Sequence, residues 1–88
     1  MARFTVLIVD DEKTLARSIK LFLLEHGWEA EVAEDGDRAL ELIEKLHPDL
    51  VFVDFRLPKL TGLELLKKIR NYDPYIAVVM MKIGRAHV

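Results

Sequence analysis

The sequence predicts an α/β domain in which helices cover both faces of a parallel sheet. Short, nearly continuous apolar runs alternate along the chain with longer segments of helical periodicity. Runs without polar alternation are typical of strands that are buried on both faces. The order β-α-β-α-β-α-β requires crossover connections, which are right-handed and make the sheet parallel.

Two strands and one helix are predicted in the first part of the chain. The apolar run Phe4–Val9 is the first strand, and Trp28–Ala33 is a short second strand. Between them a helical pattern extends from about Lys13 to His26, and Gly27 is the glycine that commonly follows a helix end. The predicted buried stripe of this helix consists of Leu15, Ile19, Phe22 and Leu23.

A second helix and a third strand follow. Asp35 and Asp37 are suited to cap the helix, because a short acidic side chain accepts hydrogen bonds from the first backbone N–H groups. Pro48 lies just beyond the predicted end of this helix. Leu50–Val53 is then another strand of the buried type.

The last predicted elements are a third helix and a fourth strand. Thr61 and Glu64 have the spacing of a capping box, in which each side chain accepts the backbone N–H of the other residue. The apolar run Ile76–Met81 is the fourth strand.

Composition excludes several classes of protein. Apolar residues make up 51% of the 88 residues, and the net charge of −2 comes without a run of Lys or Arg. A disordered tail and a nucleic-acid interface are therefore not expected. The absence of cysteine excludes disulfides and thiolate metal sites. No apolar stretch suits a signal peptide or approaches the roughly 18 residues of a membrane span, so we expect a soluble cytoplasmic domain.

Acidic residues follow the first and third predicted strands. Asp10 and Asp11 come directly after Val9, and Asp54 comes directly after Val53. In open α/β sheets, ligands bind outside the carboxyl ends of the strands, where the strand order reverses. If these two strands are neighbours, about 4.8 Å apart, the three carboxylates converge on one small volume.

A cluster of three carboxylates suits a hard cation and phosphoryl chemistry. The negative charges repel one another unless a cation joins them, and Mg²⁺ prefers such oxygen ligands. A carboxylate can also act as a nucleophile and form an aspartyl-phosphate, while a metal ion neutralises charge on the phosphoryl group. These residues predict a Mg²⁺-assisted phosphoryl acceptor. The simpler alternative is that Asp10 and Asp11 cap the first helix and that Asp54 is an ordinary loop acid.

Over residues 3–81 the chain resembles a bacterial response-regulator receiver domain. The resemblance rests on Val9-Asp10-Asp11-Glu12 after the first strand and on Asp54-Phe-Arg-Leu-Pro58-Lys-Leu-Thr-Gly62 after the third. It implies a flavodoxin-like parallel sheet with the strand order 2-1-3-4-5. The third helix and the fourth strand are most similar to the receivers of enhancer-binding transcription activators.

The resemblance implies a role for each matching residue. Asp54 would accept the phosphoryl group, and Pro58 and Gly62 would shape the loop that holds it. The ligands of Mg²⁺ would be Asp10, Asp11, Asp54 and the backbone carbonyl of Arg56. A sensor histidine kinase would donate the phosphoryl group. A C-terminal effector domain, either DNA-binding or an enhancer-binding ATPase, would receive the signal.

The sequence departs from the family pattern after residue 81. Where the family has Thr or Ser at the end of the fourth strand this chain has Lys82, and no fifth strand, phosphate-contacting Lys or last two helices follow. We therefore expect an incomplete fold of four strands and three helices. Residues 1–81 would be a partial receiver domain, and residues 82–88 a non-native tail.

The tail Ile83-Gly-Arg-Ala-His-Val88 resembles the translation of a short-read sequencing adapter, ATC GGA AGA GCA CAC GTC. The adapter is preceded by AG, so a Thr codon cut after its first A would be read as AAG, the codon of Lys82. Nucleotide sequencing of the gene is expected to show these codons. Different codons across residues 82–88 would contradict the adapter origin.

Two other classes of function stay open at this point. Aspartyl-nucleophile phosphatases carry a nucleophile and a second acid two residues later after the first strand, whereas Asp10, Asp11 and Glu12 are consecutive here. The chain could also be an inactive fragment or an interaction module that acts without phosphate. A nucleotide-binding site is not expected, because no Gly-rich phosphate loop is present. An enzymatic activity beyond Mg²⁺-dependent self-phosphorylation and dephosphorylation is not expected either.

Overall fold

The computed structural model describes residues 3–57 and 59–81, in which four strands alternate with three helices. The strands are β1 (Thr5–Val9), β2 (Glu29–Ala33), β3 (Leu50–Asp54) and β4 (Ala77–Met81). The helices are α1 (Lys13–Glu25), α2 (Gly36–Leu46) and α3 (Gly62–Tyr72). The predicted elements are all present, with ends that differ from the predicted ones by single residues.

All four strands are parallel, in the order β2-β1-β3-β4. β1 lies between β2 and β3, and its last residue, Val9, is paired with Ala33 on one side and Val53 on the other. This central position explains the unbroken apolar run of β1, because both of its faces must be buried. The carboxyl ends of β1 and β3 are consequently neighbours. The predicted fold class is confirmed.

Helices cover both faces of the sheet, and each face has its own hydrophobic core. Successive side chains of β1 alternate between the two, because side chains along a strand point to opposite faces. The wholly buried side chains on the face of α2 and α3 include Leu7, Val9, Ile43, Val51, Val53, Leu65 and Ile69. On the face of α1 they are Val6, Ile8 and Ala16. Each aliphatic side chain of this kind contributes roughly 1.5–3 kcal/mol through burial.

The buried stripe of α1 differs from the predicted one at Phe22, and Leu15 is half-buried rather than buried. Leu23 is buried and Ile19 packs against the core, but Phe22 is 58% exposed and Ala16 is buried instead. Ala16, Ile19 and Leu23 follow helical spacing, whereas Phe22 is adjacent to Leu23 and therefore points about 100° away from it. Phe22 instead lies against His26 in a tilted arrangement, with 4.2 Å between the ring centroids.

Side-chain hydrogen bonds fix the starts of α2 and α3. Asp35 is the N-cap of α2 and accepts the backbone N–H of Arg38 at 2.8 Å. At the start of α3, the N–H of Glu64 donates to Thr61 Oγ1 at 3.1 Å, and the N–H of Thr61 donates to Glu64 Oε1 at 2.9 Å. The predicted capping box is thus present. After α1, Gly27 has a φ of 88°, which a glycine adopts without steric cost.

Among the residues that the structure describes, no helix has the length and apolar character needed to cross a membrane. Lys82 and the rest of the tail, residues 82–88, lie outside the described residues, as do Met1, Ala2 and Pro58. The predictions for Lys82 and for the tail therefore stay predictions.

The capping box of α3 should make stability depend on pH. The backbone N–H of Thr61, and next its side chain, lower the pKa of Glu64 from its ordinary value of 4.5. The ionised carboxylate then stabilises the folded chain above pH 4.5, and this stabilisation is lost as the pH falls through the lowered pKa. We expect urea unfolding to show that Glu64→Gln destabilises the chain near neutral pH and has progressively less effect in acid.

Glu44→Gln is the matched control for this measurement, because Glu44 is an exposed glutamate on α2 outside any capping box. We expect its effect on the free energy of unfolding to vary less with pH. A Glu64→Gln effect that is the same at acid and neutral pH would contradict the linkage.

Candidate functional site

The first acid of the site is placed by the pairing of β1. The backbone N–H of Asp10 donates to the carbonyl of Ala33 at 3.0 Å, so the hydrogen-bond ladder between β1 and β2 continues past Val9. The side chain of Asp10 has no exposed surface. A wholly buried aspartate is unusual and calls for hydrogen bonds or a counter-ion.

The second buried acid is placed by β3. Asp54 is the last residue of this strand, is paired with Met81 of β4 and is 2% exposed. Directly after it, the N–H of Phe55 donates to the carbonyl of Met81 at 2.9 Å. Asp54 is therefore held between β1 and β4 at the carboxyl end of the sheet.

The carboxylates of Asp10, Asp11 and Asp54 meet at this end of the sheet. Each offers an oxygen atom, and these atoms all lie within 4.8 Å of one another. Asp11 is exposed, whereas the other two are buried. Within residues 3–57 and 59–81, they are the one group of three acidic or histidine side chains placed to hold a metal ion. The predicted convergence of the three residues is confirmed.

Like charges at this separation are unfavourable. Two unit charges 4 Å apart repel by about 1 kcal/mol in bulk water and by more in the lower dielectric of a protein. A divalent cation offsets this repulsion, because it attracts all three carboxylates at once. The donor set also fits a hard cation, since it consists of carboxylate oxygens. The cluster can therefore bind a metal.

Two similar turns orient the buried carboxylates. Asp10 Oδ1 accepts the N–H of Glu12 at 2.8 Å, and Asp54 Oδ1 accepts the N–H of Arg56 at 3.0 Å. In each turn an aspartate accepts the N–H two residues later, which is the geometry of an Asx-turn. Because both carboxylates are bound to their own backbone, their rotation is restricted.

The simpler interpretation of Asp10 and Asp11 as helix caps is wrong. The N-cap of α1 is Glu12, whose Oε1 accepts the N–H of Leu15 at 3.1 Å. Glutamate is not among the preferred N-cap residues, so this role of Glu12 could not be predicted from residue type. Asp10 and Asp11 precede the helix and stay with the acidic cluster.

The loop after Asp54 carries the other predicted site residues. Gly62 is buried at the start of α3, where a Cβ atom would lie 2.9 Å from the carbonyl oxygen of Asp54 and 2.7 Å from Met80 Cε. Only a glycine allows this close approach. The role of the Arg56 carbonyl stays a prediction, and Pro58 lies outside the described residues.

One contact near the site was not predicted from the sequence. Leu60, in the loop after Asp54, packs against Gly36, the first residue of α2. A glycine at this position leaves room for a neighbour to approach closely. The sequence does not reveal which residue that neighbour is.

Known proteins are similar to this chain in both sequence and fold. Residues 6–86 match the family described as the response regulator receiver domain. The chain is 40% identical over 76 residues to the transcriptional regulatory protein TrcR of Mycobacterium tuberculosis. That alignment covers 86% of this chain but 30% of TrcR, so the chain spans less than a third of this relative's length.

Two solved structures illustrate the likeness in fold. A CheY-like receiver domain protein from Methanospirillum hungatei has a TM-score of 0.89 and 32% identity, covering 99% of this chain and 69% of that one. The receiver domain of NtrX from Brucella abortus has a TM-score of 0.81 and 39% identity, covering 85% of this chain and 64% of that one.

The family match extends over most of the chain, and the four parallel strands and three helices agree with these neighbours. This chain belongs to the response regulator receiver domain family, the phosphoacceptor modules of two-component phosphorelay signalling, which are not classical enzymes.

Proposed function

We propose that Asp54 is the residue of this chain that accepts the phosphoryl group, and that Mg²⁺ assists the transfer. The observation that carries the proposal is the meeting of three carboxylates within 4.8 Å at the carboxyl ends of adjacent strands. Asp54 is the member of the cluster that ends a strand of its own, opposite the consecutive pair Asp10 and Asp11. That arrangement supports an acceptor on one strand that faces ion-binding acids on the next.

The ion-binding residues that we propose are Asp10, Asp11, Asp54 and the backbone carbonyl of Arg56. Mg²⁺ favours a small number of carboxylates and keeps several waters, which suits a cluster with one exposed member. When bound, the ion would neutralise charge on the phosphoryl oxygens. The Asx-turns at Asp10 and Asp54 keep the carboxylates in place, so that little rearrangement precedes binding.

The reaction that we propose is a single phosphoryl transfer. A carboxylate oxygen of Asp54 attacks the phosphorus of a phosphohistidine, the P–N bond breaks, and its electron pair returns to the imidazole of the donor. The product is an aspartyl-phosphate with one new P–O bond. Catalysis of this kind rests mainly on positioning and electrostatics, which are what the buried, hydrogen-bonded carboxylates supply.

We propose a sensor histidine kinase as the donor and an effector domain as the recipient of the signal. Support for the effector comes from TrcR, which is named a transcriptional regulatory protein and of which this chain covers 30%. The effector class that we propose is therefore DNA-binding, with an enhancer-binding ATPase as the alternative.

The central prediction is phosphorylation of Asp54 by a small phosphodonor. Incubation with acetyl phosphate and Mg²⁺ should increase the intact mass of the chain by one phosphoryl group. Asp54→Asn should abolish the gain, because the amide keeps the shape of the side chain and removes the nucleophile. A chelator in place of Mg²⁺ should also abolish it.

Asp37→Asn is the matched control, since Asp37 is an exposed acid in the first turn of α2, outside the cluster. This variant should gain a phosphoryl group as the wild type does. Phosphorylation that persists in Asp54→Asn would contradict the assignment. No gain in a folded wild-type chain that binds Mg²⁺ would favour the phosphate-independent interaction module instead.

A second prediction concerns stability without metal. In a chelator, Asp11→Asn should raise the Tm by a few degrees, because it removes one of three mutually repelling charges. A gain of about 1 kcal/mol corresponds to roughly 4–8 °C in a domain of this size. Adding Mg²⁺ should raise the Tm of the wild type by mass action and that of Asp11→Asn less. Thermal melts of both chains, followed by circular dichroism, measure the two effects.

For this stability test Asp37→Asn again serves as the control, and Mg²⁺ should raise its Tm as much as it raises that of the wild type. Equal Mg²⁺ effects on the wild type and on Asp11→Asn would show that Asp11 takes no part in binding the ion.

A further inference from the structure

The loop between β3 and α3 is tied down at both of its ends. At the start, the N–H of Arg56 donates to Asp54 Oδ1 at 3.0 Å. At the end, the N–H of Gly62 donates to the carbonyl of Phe55 at 3.3 Å. Between these points Leu57 and Leu60 pack against the core on the α2 and α3 face of the sheet. The loop is thus anchored to the body of the domain as well as to its flanking elements.

Leu60 also packs against the start of α2. The hydrogen bonds at the two ends of the loop do not involve that helix. A Cβ atom added to Gly36 would lie 2.5 Å from Leu60 Cδ2 and 3.3 Å from both Cβ and Cγ of Leu60. Three atoms of one side chain therefore occupy the space beside the Gly36 backbone. A larger residue at position 36 would require Leu60 Cδ2 to move away and Cβ and Cγ of Leu60 to give by a few tenths of an ångström.

Backbone conformation does not explain the glycine at position 36. Among the described residues Gly27 is the one glycine with a positive φ, so Gly36 adopts angles open to any residue. Alanine is also the better helix former of the two residues. The structural reason for a glycine at position 36 is that Leu60 occupies the adjacent space.

We propose that Leu60 and Gly36 are positioning residues: their contact holds the loop so that the backbone carbonyl of Arg56 stays within reach of the metal ion. This inference rests on the proposed function of the acidic cluster. β3 fixes the loop on the side of Asp54, and on the other side Leu57 packs on the core and Leu60 packs on the core and on the start of α2. Arg56 lies between these two supports.

A ligand supplied by a loop backbone is only as well placed as the loop itself. Mg²⁺ demands nearly ideal octahedral geometry with ligands at about 2.0–2.1 Å, so a small displacement of the loop removes a carbonyl from the coordination sphere. The carboxylates of Asp10 and Asp11 belong to a different segment, which is held by the pairing of β1 with β2. Loosening the contact between Leu60 and Gly36 should therefore weaken metal binding without abolishing it.

The test compares Mg²⁺ affinity with thermal stability in a set of variants. Affinity is read from backbone amide chemical shifts of residues 10–12 and 54–57 during Mg²⁺ titration of the full chain, and stability from the Tm. Leu60→Ala removes the contact, Gly36→Ala displaces it, and Leu60→Met replaces the branched leucine with an unbranched apolar side chain of similar size. Leu46→Ala is the matched control, because Leu46 packs on the same core at the other end of α2, about 15 Å along the helix from Gly36.

We expect Leu60→Ala and Gly36→Ala each to weaken Mg²⁺ binding about tenfold, the lower end of the effect of residues that support metal ligands. Leu60→Met should restore most of the affinity. Leu46→Ala should lower the Tm and leave the affinity unchanged. The double variant Gly36→Ala with Leu60→Ala should bind Mg²⁺ more tightly than expected if the two single losses of affinity simply multiplied. The reason is that the added methyl group occupies part of the space that the leucine leaves.

Two results would overturn the inference, and they differ from each other. If the wild type binds Mg²⁺ while Leu60→Ala and Gly36→Ala change the Tm but not the affinity, the contact is only structural and the acidic site stands. If the wild type shows no shifts with Mg²⁺, the proposed metal site fails and the positioning role fails with it.

Discussion

The register between β1 and β3 is the constraint on which the rest of the molecule depends. Val9 is paired with Val53, and each of these residues is followed by an aspartate at the carboxyl end of its strand. A shift of one residue would turn the side chains of a whole strand to the opposite face, which a strand packed on two cores resists. The apolar packing of the sheet thus fixes the separation of the acids, although no acid contributes to that packing.

The acidic end of the sheet works against folding in the absence of an ion. Asp10 and Asp54 are almost completely buried beside a third carboxylate, in a domain that is stabilised mainly by the burial of apolar side chains. Backbone N–H groups offset part of the cost of burial through the two Asx-turns. Such a conflict between local electrostatics and the surrounding core is expected where a protein binds a charged ligand.

Patterns within single segments were sufficient to predict most of the fold and the acidic site. The apolar runs, the caps at Asp35 and Thr61, and the placement of Asp10 and Asp54 all depend on local sequence or on the rule for parallel sheets. The prediction for Phe22 was wrong, because this residue was assigned to the buried face of α1 although it points about 100° away from the buried Leu23. It also missed the cap at Glu12.

The contact between Leu60 and Gly36 was beyond sequence reasoning for a different reason. It joins residues from separate connections of the fold, and their meeting depends on the path of a loop that has no periodicity. In physical terms, segments with repeating hydrogen bonds are specified locally, whereas the packing of an irregular loop is specified by the surface on which it lies. Patterns along one chain carry little information about such surfaces.

The two Asx-turns also bear on the thermodynamics of ion binding. An acidic patch on a mobile surface must immobilise its side chains when a cation arrives, and the lost rotamer entropy reduces its affinity. Here the carboxylates of Asp10 and Asp54 are already ordered by burial and by the N–H groups of Glu12 and Arg56. Their conformational freedom is lost once, during folding. The entropy change on ion binding is then set mainly by the release of water rather than by side-chain ordering.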